Sequence, residues 1–253
     1  MALRNDGRVI LFQGAIDIGQ GSNTVISQIC ADAIGISIDC FDLVYGDTDL
    51  TADAGKTSAS RQTFISGKAA FLAGNVLRNK LLKICNAPIS ARLQLNGNTL
   101  LASAENSTYK LQLDSLPADQ NGFIATAEET YDPPTQPLDK DGQGEPYASF
   151  GYGAQMVELS VDTALGTTKL IKVTAAHDVG KVINPVLAEG QVHGGVAQGI
   201  GMALMEKFVP GKTNNLHDYL IPTAGDVPEI ETLFISNLAD FLTNLFFLLT
   251  LSM

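Results

Sequence analysis

A chain of 253 residues with 45% hydrophobic content has enough apolar surface for one or two packed domains. Its formal charge of −11 argues against a nucleic-acid groove, because phosphate backbones are bound by net positive surfaces. Cys30, Cys40 and Cys85 are odd in number and lack CxxC spacing, so reduced thiols in a cytoplasmic protein are expected, not a disulfide framework or a thiolate metal site. His177, His193 and His217 include no HExxH pair, which argues against a zinc enzyme. The N-terminus has no basic-then-apolar layout of a secretion signal.

Asp6-Gly7 introduces a short apolar run, Arg8 to Phe12, that reads as a hairpin strand. Next comes Asp17-Ile18-Gly19-Gln20-Gly21-Ser22-Asn23-Thr24, a glutamine bracketed by glycines where a strand turns into a helix. Val25, Ile29, Ala33 and Ile36 supply the helical face. A helix start carries N–H groups without partners and a partial positive charge, which favours an anion. Gly19 and Gly21 would admit a ligand close to the backbone, and Ser22, Asn23 and Thr24 add donors. A capped helix after a tight turn fits the same residues.

A second junction follows the strand-like Phe41 to Tyr45. Asp53-Ala54-Gly55-Lys56-Thr57-Ser58-Ala59-Ser60-Arg61-Gln62 precedes a long helical pattern with Ile65, Ala69, Leu72 and Val76 on one stripe, continued by Leu77, Leu81 and Ile84. Hydroxyls, an Arg and a Lys near a helix start suit a phosphate or pyrophosphate, although Ser and Thr are also common as plain caps. Two such junctions so close in sequence point to one shared phosphorylated ligand.

From Ser90 to about Gln143 periodicity is poor, apart from a hairpin pattern over residues 93–101 on an Asn-Gly turn. Thr130 to Tyr147, rich in Pro, reads as a surface excursion. Met156–Asp162 and Leu170–Ala176 form a hairpin about Gly166. Asn184 and Pro185 suit the N-cap and first position of a helix whose stripe is Val192, Val196, Ile200 and Leu204. That helix also contains Gly190, Gly194, Gly195, Gly199 and Gly201, each costing about 0.5–1 kcal/mol relative to Ala, so close packing by backbone or a bulky ligand is expected. A last strand falls near Ile230 to Ile235. Phe241 to Leu251 is apolar but too short for a membrane span, which needs about 20 residues.

Five ordered blocks carry a family resemblance: DIGQGSNT (17–24), AGKTSASRQTFISG (54–67), AAHDVGKVINP (175–185), GQVHGGVAQGIGMALMEK (190–207) and DYLIPTAGDVPEIE (218–231). The chain resembles the molybdenum-binding subunit of the xanthine dehydrogenase and aldehyde oxidase family, nearest to xanthine dehydrogenase-like and nicotinate dehydrogenase-like subunits. The resemblance implies hydroxylation of an N-heterocycle or aldehyde with water-derived oxygen. It implies molybdopterin, often with a cytosine nucleotide, holding molybdenum through its own dithiolene. Gly19, Gln20, Gly21, Ser22 and Thr24 match the block that lies against this cofactor. Thr57, Ser58, Ala59, Ser60, Arg61 and Gln62 match the block at its phosphate or nucleotide end, and Gln198 matches a glutamine that hydrogen-bonds the pterin. Iron–sulfur and FAD subunits and the other part of the molybdenum subunit are the implied partners, with no iron–sulfur or flavin site in this chain, no nucleic acid and no membrane.

The resemblance also has gaps. The family's first half, with a glycine-rich loop and much of the substrate pocket, has no counterpart here. Nor does the GxGE motif whose glutamate is the general base, so no catalytic residue is assigned. Glu145, in Gly142-Gln143-Gly144-Glu145-Pro146, copies that motif out of order and is not taken as the base. The expectation is an α+β fold of mixed sheets with packed helices: a first lobe over 1–85, an irregular excursion over 86–150, a second lobe over 151–236 and an apolar non-family tail over 237–253. The functional expectation is a partial, truncated or frameshifted cofactor-binding subunit that is inactive alone. The alternative is a non-catalytic product or binding module that retains the fold.

Overall fold

Val9, Leu11 and Gln13 are buried and alternate with half-buried Ile10 and Phe12, the period-two pattern of a strand with one inward face. This strand, β2 (Val9–Gln13), pairs antiparallel with β1 (Ala2–Arg4) around the Asp6-Gly7 turn. It pairs parallel with β3 (Phe41–Tyr45), so the chain must cross over between them, and α1 (Ser22–Ile34) makes that crossover. β7 (Phe123–Thr126) lies on the far side of β1, giving the order β3-β2-β1-β7. The structure is a computed structural model that describes residues 1–105 and 107–235, in two compact units divided between Gly144 and Glu145.

In the first unit α1 stops at Gly35, whose left-handed backbone returns its N–H to Ala31 O, so Ile36 falls outside the expected helix. α2 (Gln62–Ile84) packs on α1, but not on the expected stripe. Ile65, Ala69, Leu72 and Val76 are only half-buried, while Ala70, Ala73, Leu77, Leu81 and Leu82 form the inward face. The cause is a pair of glycines: a Cβ at Gly74 would lie 2.6 Å from Ala33 Cβ, and one at Gly67 would lie 2.8 Å from Ile29 Cδ1. The narrow side of α2 therefore faces α1, which apolar periodicity cannot reveal.

Residues 86–150 are more ordered than their pattern suggests. β4 (Arg92–Asn96), β5 (Thr99–Ala104) and β6 (Ser107–Gln112) make an antiparallel sheet in sequential order, with Gly97 and Asn98 forming the first turn. Leu93, Leu95, Leu100 and Ala102 share one core with Leu3, Val9, Ile34, Leu77 and Leu81. β6 escaped the sequence reading because its apolar residues are few and mostly half-exposed.

The second unit holds β8 (Tyr152–Asp162) and β9 (Thr167–Asp178), a hairpin longer at both ends than its sequence pattern. β10 (Glu229–Phe234) runs parallel to β9, and α3 (Pro185–Leu204) lies in the connection between them. Asn184 Oδ1 caps α3 by accepting from Leu187 N, with Pro185 at its first turn, as expected. Val173 and Ala175 from the sheet meet Val196 and Ile200 from the helix. The architecture is α+β, mixed sheets with packed helices. No helix among the described residues is long and apolar enough to cross a membrane. The apolar tail read from sequence over 237–253 lies outside the described residues.

Candidate functional site

The two junctions singled out in the sequence meet in the first unit. β2 ends at Gln13, and the chain from Gly14 to Gly21 loops over to α1. A Cβ on Gly14 would fall 1.9 Å from Ala52 O, so only glycine lets the second loop's backbone pass this close. The carbonyl of Ile16 then accepts two donors, Gln20 Nε2 at 3.3 Å and Thr57 Oγ1 at 2.9 Å. Gln20 is thereby folded onto its own loop, with its Oε1 accepting from Ile18 N at 2.7 Å.

At the start of α1 part of the donor set that the sequence offered to an anion is taken by the chain itself. Asp17 occupies it. Its Oδ1 accepts from Gly19 N at 2.8 Å and Gly21 N at 3.2 Å, and its Oδ2 accepts from Asn23 N at 3.2 Å. Positive φ values at Gly19 and Gly21 aim these amides at the carboxylate. Burial raises the Asp17 pKa, but the amides of Gly19, Asn23 and Gly21 outweigh it and hold the group below the ordinary carboxylate range. Ser22 and Asn23 face the interior of the unit in different ways. Ser22 is 2% exposed, its Oγ buried without a partner, and Asn23 Oδ1 accepts from Gln13 Nε2 at 2.8 Å. Thr24 is exposed.

The start of α2 has the opposite character. Arg61 is partly engaged within its own loop: its Nη1 donates to Ala54 O at 2.7 Å and Lys56 O at 2.9 Å, tying the loop closed. Gln62 is buried, and its Nε2 donates to Lys56 O and Thr57 Oγ1. Between these ties Ala59 and Ser60 both have φ of 53°, a conformation costly for residues with a Cβ. Arg61, with right-handed backbone, follows them, and its N–H donates to Ser58 O at 3.4 Å. Among the described residues, the N–H groups of Gln62, Thr63 and Phe64 meet no acceptor, and the exposed Ser58 and Ser60 side chains make no hydrogen bond.

Beside these loops lies a cavity of about 570 Å³, walled by Gln13, Gly14, Asp53, Arg61, Ile65 and Tyr131 among others. It has the size of a small-molecule pocket. Sequence reading missed it, because its walls come from segments far apart in the chain.

Gln198 belongs to the second unit, exposed on α3. Among the described residues, no backbone packs closely on most of the glycines around it, so of the two expectations only the bulky ligand could cover them. A Cβ at Gly190, Gly194, Gly195 or Gly199 would meet nothing within 4 Å, and only Gly201 is confined, by Glu206 and Pro222. The inward face of α3 is built instead from Val196 and Ile200. Among the described residues, no group of three or more His, Cys, Asp or Glu side chains could hold a metal ion.

Comparison with known proteins gives the class to which this fold and these loops belong. The chain matches the molybdopterin cofactor-binding domain over residues 1–228 and belongs to that family. It is 30% identical over 250 residues to the xanthine dehydrogenase molybdenum-binding subunit of Escherichia coli O157:H7, covering 93% of this chain and 32% of that one. It is 28% identical to the gamma subunit of the 6-hydroxypseudooxynicotine dehydrogenase complex of Paenarthrobacter nicotinovorans, over 89% of this chain and 29% of the relative. Among solved structures it resembles the aldehyde oxidoreductase of Desulfovibrio desulfuricans, with a TM-score of 0.73 and 25% identity over 93% of this chain and 24% of that chain. Thus the chain spans about a third or less of these relatives' length.

Proposed function

We propose that this chain supplies part of the molybdopterin-binding frame of a xanthine dehydrogenase-like hydroxylase, which oxidises an N-heterocycle or aldehyde carbon with water-derived oxygen. The observation that carries the reading is the start of α2: three backbone N–H groups without acceptors, beside two exposed hydroxyls on a strained loop. Those donors fit the phosphate, or the cytosine dinucleotide pyrophosphate, at one end of the cofactor.

In this reading, Gln62, Thr63 and Phe64 donate through their N–H groups and Ser58 and Ser60 through their hydroxyls. Arg61 holds the loop that presents them and adds positive charge from behind. The Gly19–Gly21 turn faces an uncharged part of the cofactor. Gln20 orients the cofactor once its side chain swings off Ile16, and Gln198 matches the family's pterin-binding glutamine. When bound, the cofactor supplies molybdenum and the redox centre for hydroxylation. Iron–sulfur and FAD subunits receive the electrons, and the rest of the molybdenum subunit completes the substrate pocket. The resemblance to subunits of known dehydrogenases supports these partners. Three unpaired cysteines, two of them buried, support a reducing, cytoplasmic setting.

The test is the double substitution Ser58→Ala, Ser60→Ala in the chain expressed with its native partners. Hydrogen bonds to charged groups are worth about 1.5–3 kcal/mol each, so molybdenum and pterin content should drop several-fold after purification. Neither side chain has an internal partner, so the melting temperature should not change. Full cofactor content in the double variant would remove the phosphate end from this loop.

A further inference from the structure

Asparagine followed by glycine occurs twice in the chain, at Asn96-Gly97 and Asn121-Gly122. In such a pair the glycine N can attack the asparagine Cγ, because no side chain on the glycine blocks the approach. Attack requires that N to shed its proton, and an amide N–H held by an acceptor is protected from doing so. Both asparagines are exposed, so water and base reach either one. Sequence alone does not rank them.

The fold separates them. Gly122 N donates to Asp119 O at 3.0 Å, and Asp119 Oδ1 accepts from Asn121 N at 2.8 Å and Phe123 N at 2.9 Å. These bonds hold the backbone on both sides of the Asn121-Gly122 peptide. Asn96, by contrast, ends β4 and pairs with Thr99 across a turn of Gly97 and Asn98. Among the described residues, Gly97 N meets no acceptor. Gly97 is also a packing point. A Cβ on Gly7 would overlap Gly97 O, so the β1–β2 turn rests directly on this peptide.

We propose that Asn96 is a self-modification site. Gly97 N closes on Asn96 Cγ, the Cγ–Nδ2 bond breaks, and ammonia leaves with the proton that Gly97 N gives up. Water then opens the cyclic imide at either carbonyl, leaving aspartate or isoaspartate at position 96. Solvent water is the sole co-reactant, and no electrons change hands. Isoaspartate runs the chain through its side-chain carbon, which lengthens the backbone by one methylene where the β1–β2 turn presses on Gly97. The product therefore carries a new negative charge and loosens the contact between two turns. This chemistry stands apart from the proposed function.

The experiment ages the purified 253-residue chain in mildly alkaline buffer, with peptide mass mapping and an isoaspartyl methyl-acceptor assay on each peptide. In the folded chain, product should build up at residue 96 several-fold faster than at residue 121. In concentrated urea, where the Asp119 bonds are gone, the two rates should converge. Asn96→Gln, whose longer side chain closes the ring far more slowly, should silence residue 96 and leave residue 121 unchanged. Ageing should lower the melting temperature of the unaltered chain and spare that of Asn96→Gln. Equal or faster reaction at residue 121 in the folded chain would overturn the proposal, as would a rate ratio that urea leaves unchanged. A converted sample that melts like the fresh one would overturn the part given to the Gly7 contact.

Discussion

Thr57 Oγ1 donates to the carbonyl of Ile16 at 2.9 Å, joining two loops that lie 41 positions apart in the chain. Gln20 donates to the same oxygen, and Gln62 Nε2 donates to Thr57 Oγ1 at 3.2 Å. Thr57 therefore ties the two loops together. Thr57→Val keeps the side chain's shape and removes both bonds. Gln62 retains its bond to Lys56 O, so the loss should be about 1 kcal/mol, the usual net worth of a partly exposed hydrogen bond. Urea denaturation would measure it, and unchanged stability together with unchanged amide shifts at residues 16–20 would deny the cross-tie.

Arg61→Lys tests whether the guanidinium is structural. Both bonds come from the single Nη1 atom, which sits one bond farther from Cα than a lysine Nζ, so an ammonium would not reach the same place between Ala54 O and Lys56 O. The site is half-buried, so screening limits the expected loss to on the order of 1 kcal/mol. Cleavage between residues 54 and 61 by a low dose of protease should speed up several-fold. Equal cleavage rates would mean that the loop closes without Arg61.

Two glycine-to-alanine changes should move stability in opposite directions. At Gly74 the new Cβ would press on Ala33 Cβ at 2.6 Å, and overpacking of about 1–3 kcal/mol outweighs a helix-propensity gain of about 1 kcal/mol. At Gly199 nothing lies within 4 Å, so the same change should stabilise the chain by about 0.5–1 kcal/mol. Thermal melts of the two variants decide the matter. A destabilised Gly199→Ala would reveal a contact on that face of α3.

Asp17 should leave a mark on the pH dependence. Its folded pKa is depressed, burial acting upward and the three amides acting downward more strongly. Its stabilisation is therefore present above the unfolded value of about 3.9 and is lost as pH falls through the lower folded value. Amide shifts of Gly19, Gly21 and Asn23 should titrate together with a midpoint below about 3.9. A common midpoint above that value would contradict the hydrogen bonds seen here.

Much of the local structure was legible because it depends on neighbours in sequence. The β2 and β3 alternation and apolar runs, the Asn184-Pro185 start of α3 and the Gly166 hairpin all rest on backbone preferences a few residues wide. So did the two loops, since glycine, hydroxyl and amide residues at a strand-to-helix junction carry their chemistry locally. Tertiary structure alone decided which donors stay open. Asp17 stands in plain view ahead of its helix, yet only the fold of the turn shows its carboxylate on three amides instead of in solvent. Arg61 reads from sequence only as a phosphate ligand, and the fold alone shows that its Nη1 also holds the carbonyls of Ala54 and Lys56. The inward face of α2 was set by contact of Gly67 and Gly74 with α1, and the openness of the α3 glycines by what does not reach them. Contacts of this kind join positions far apart in the chain, and apolar periodicity is blind to them.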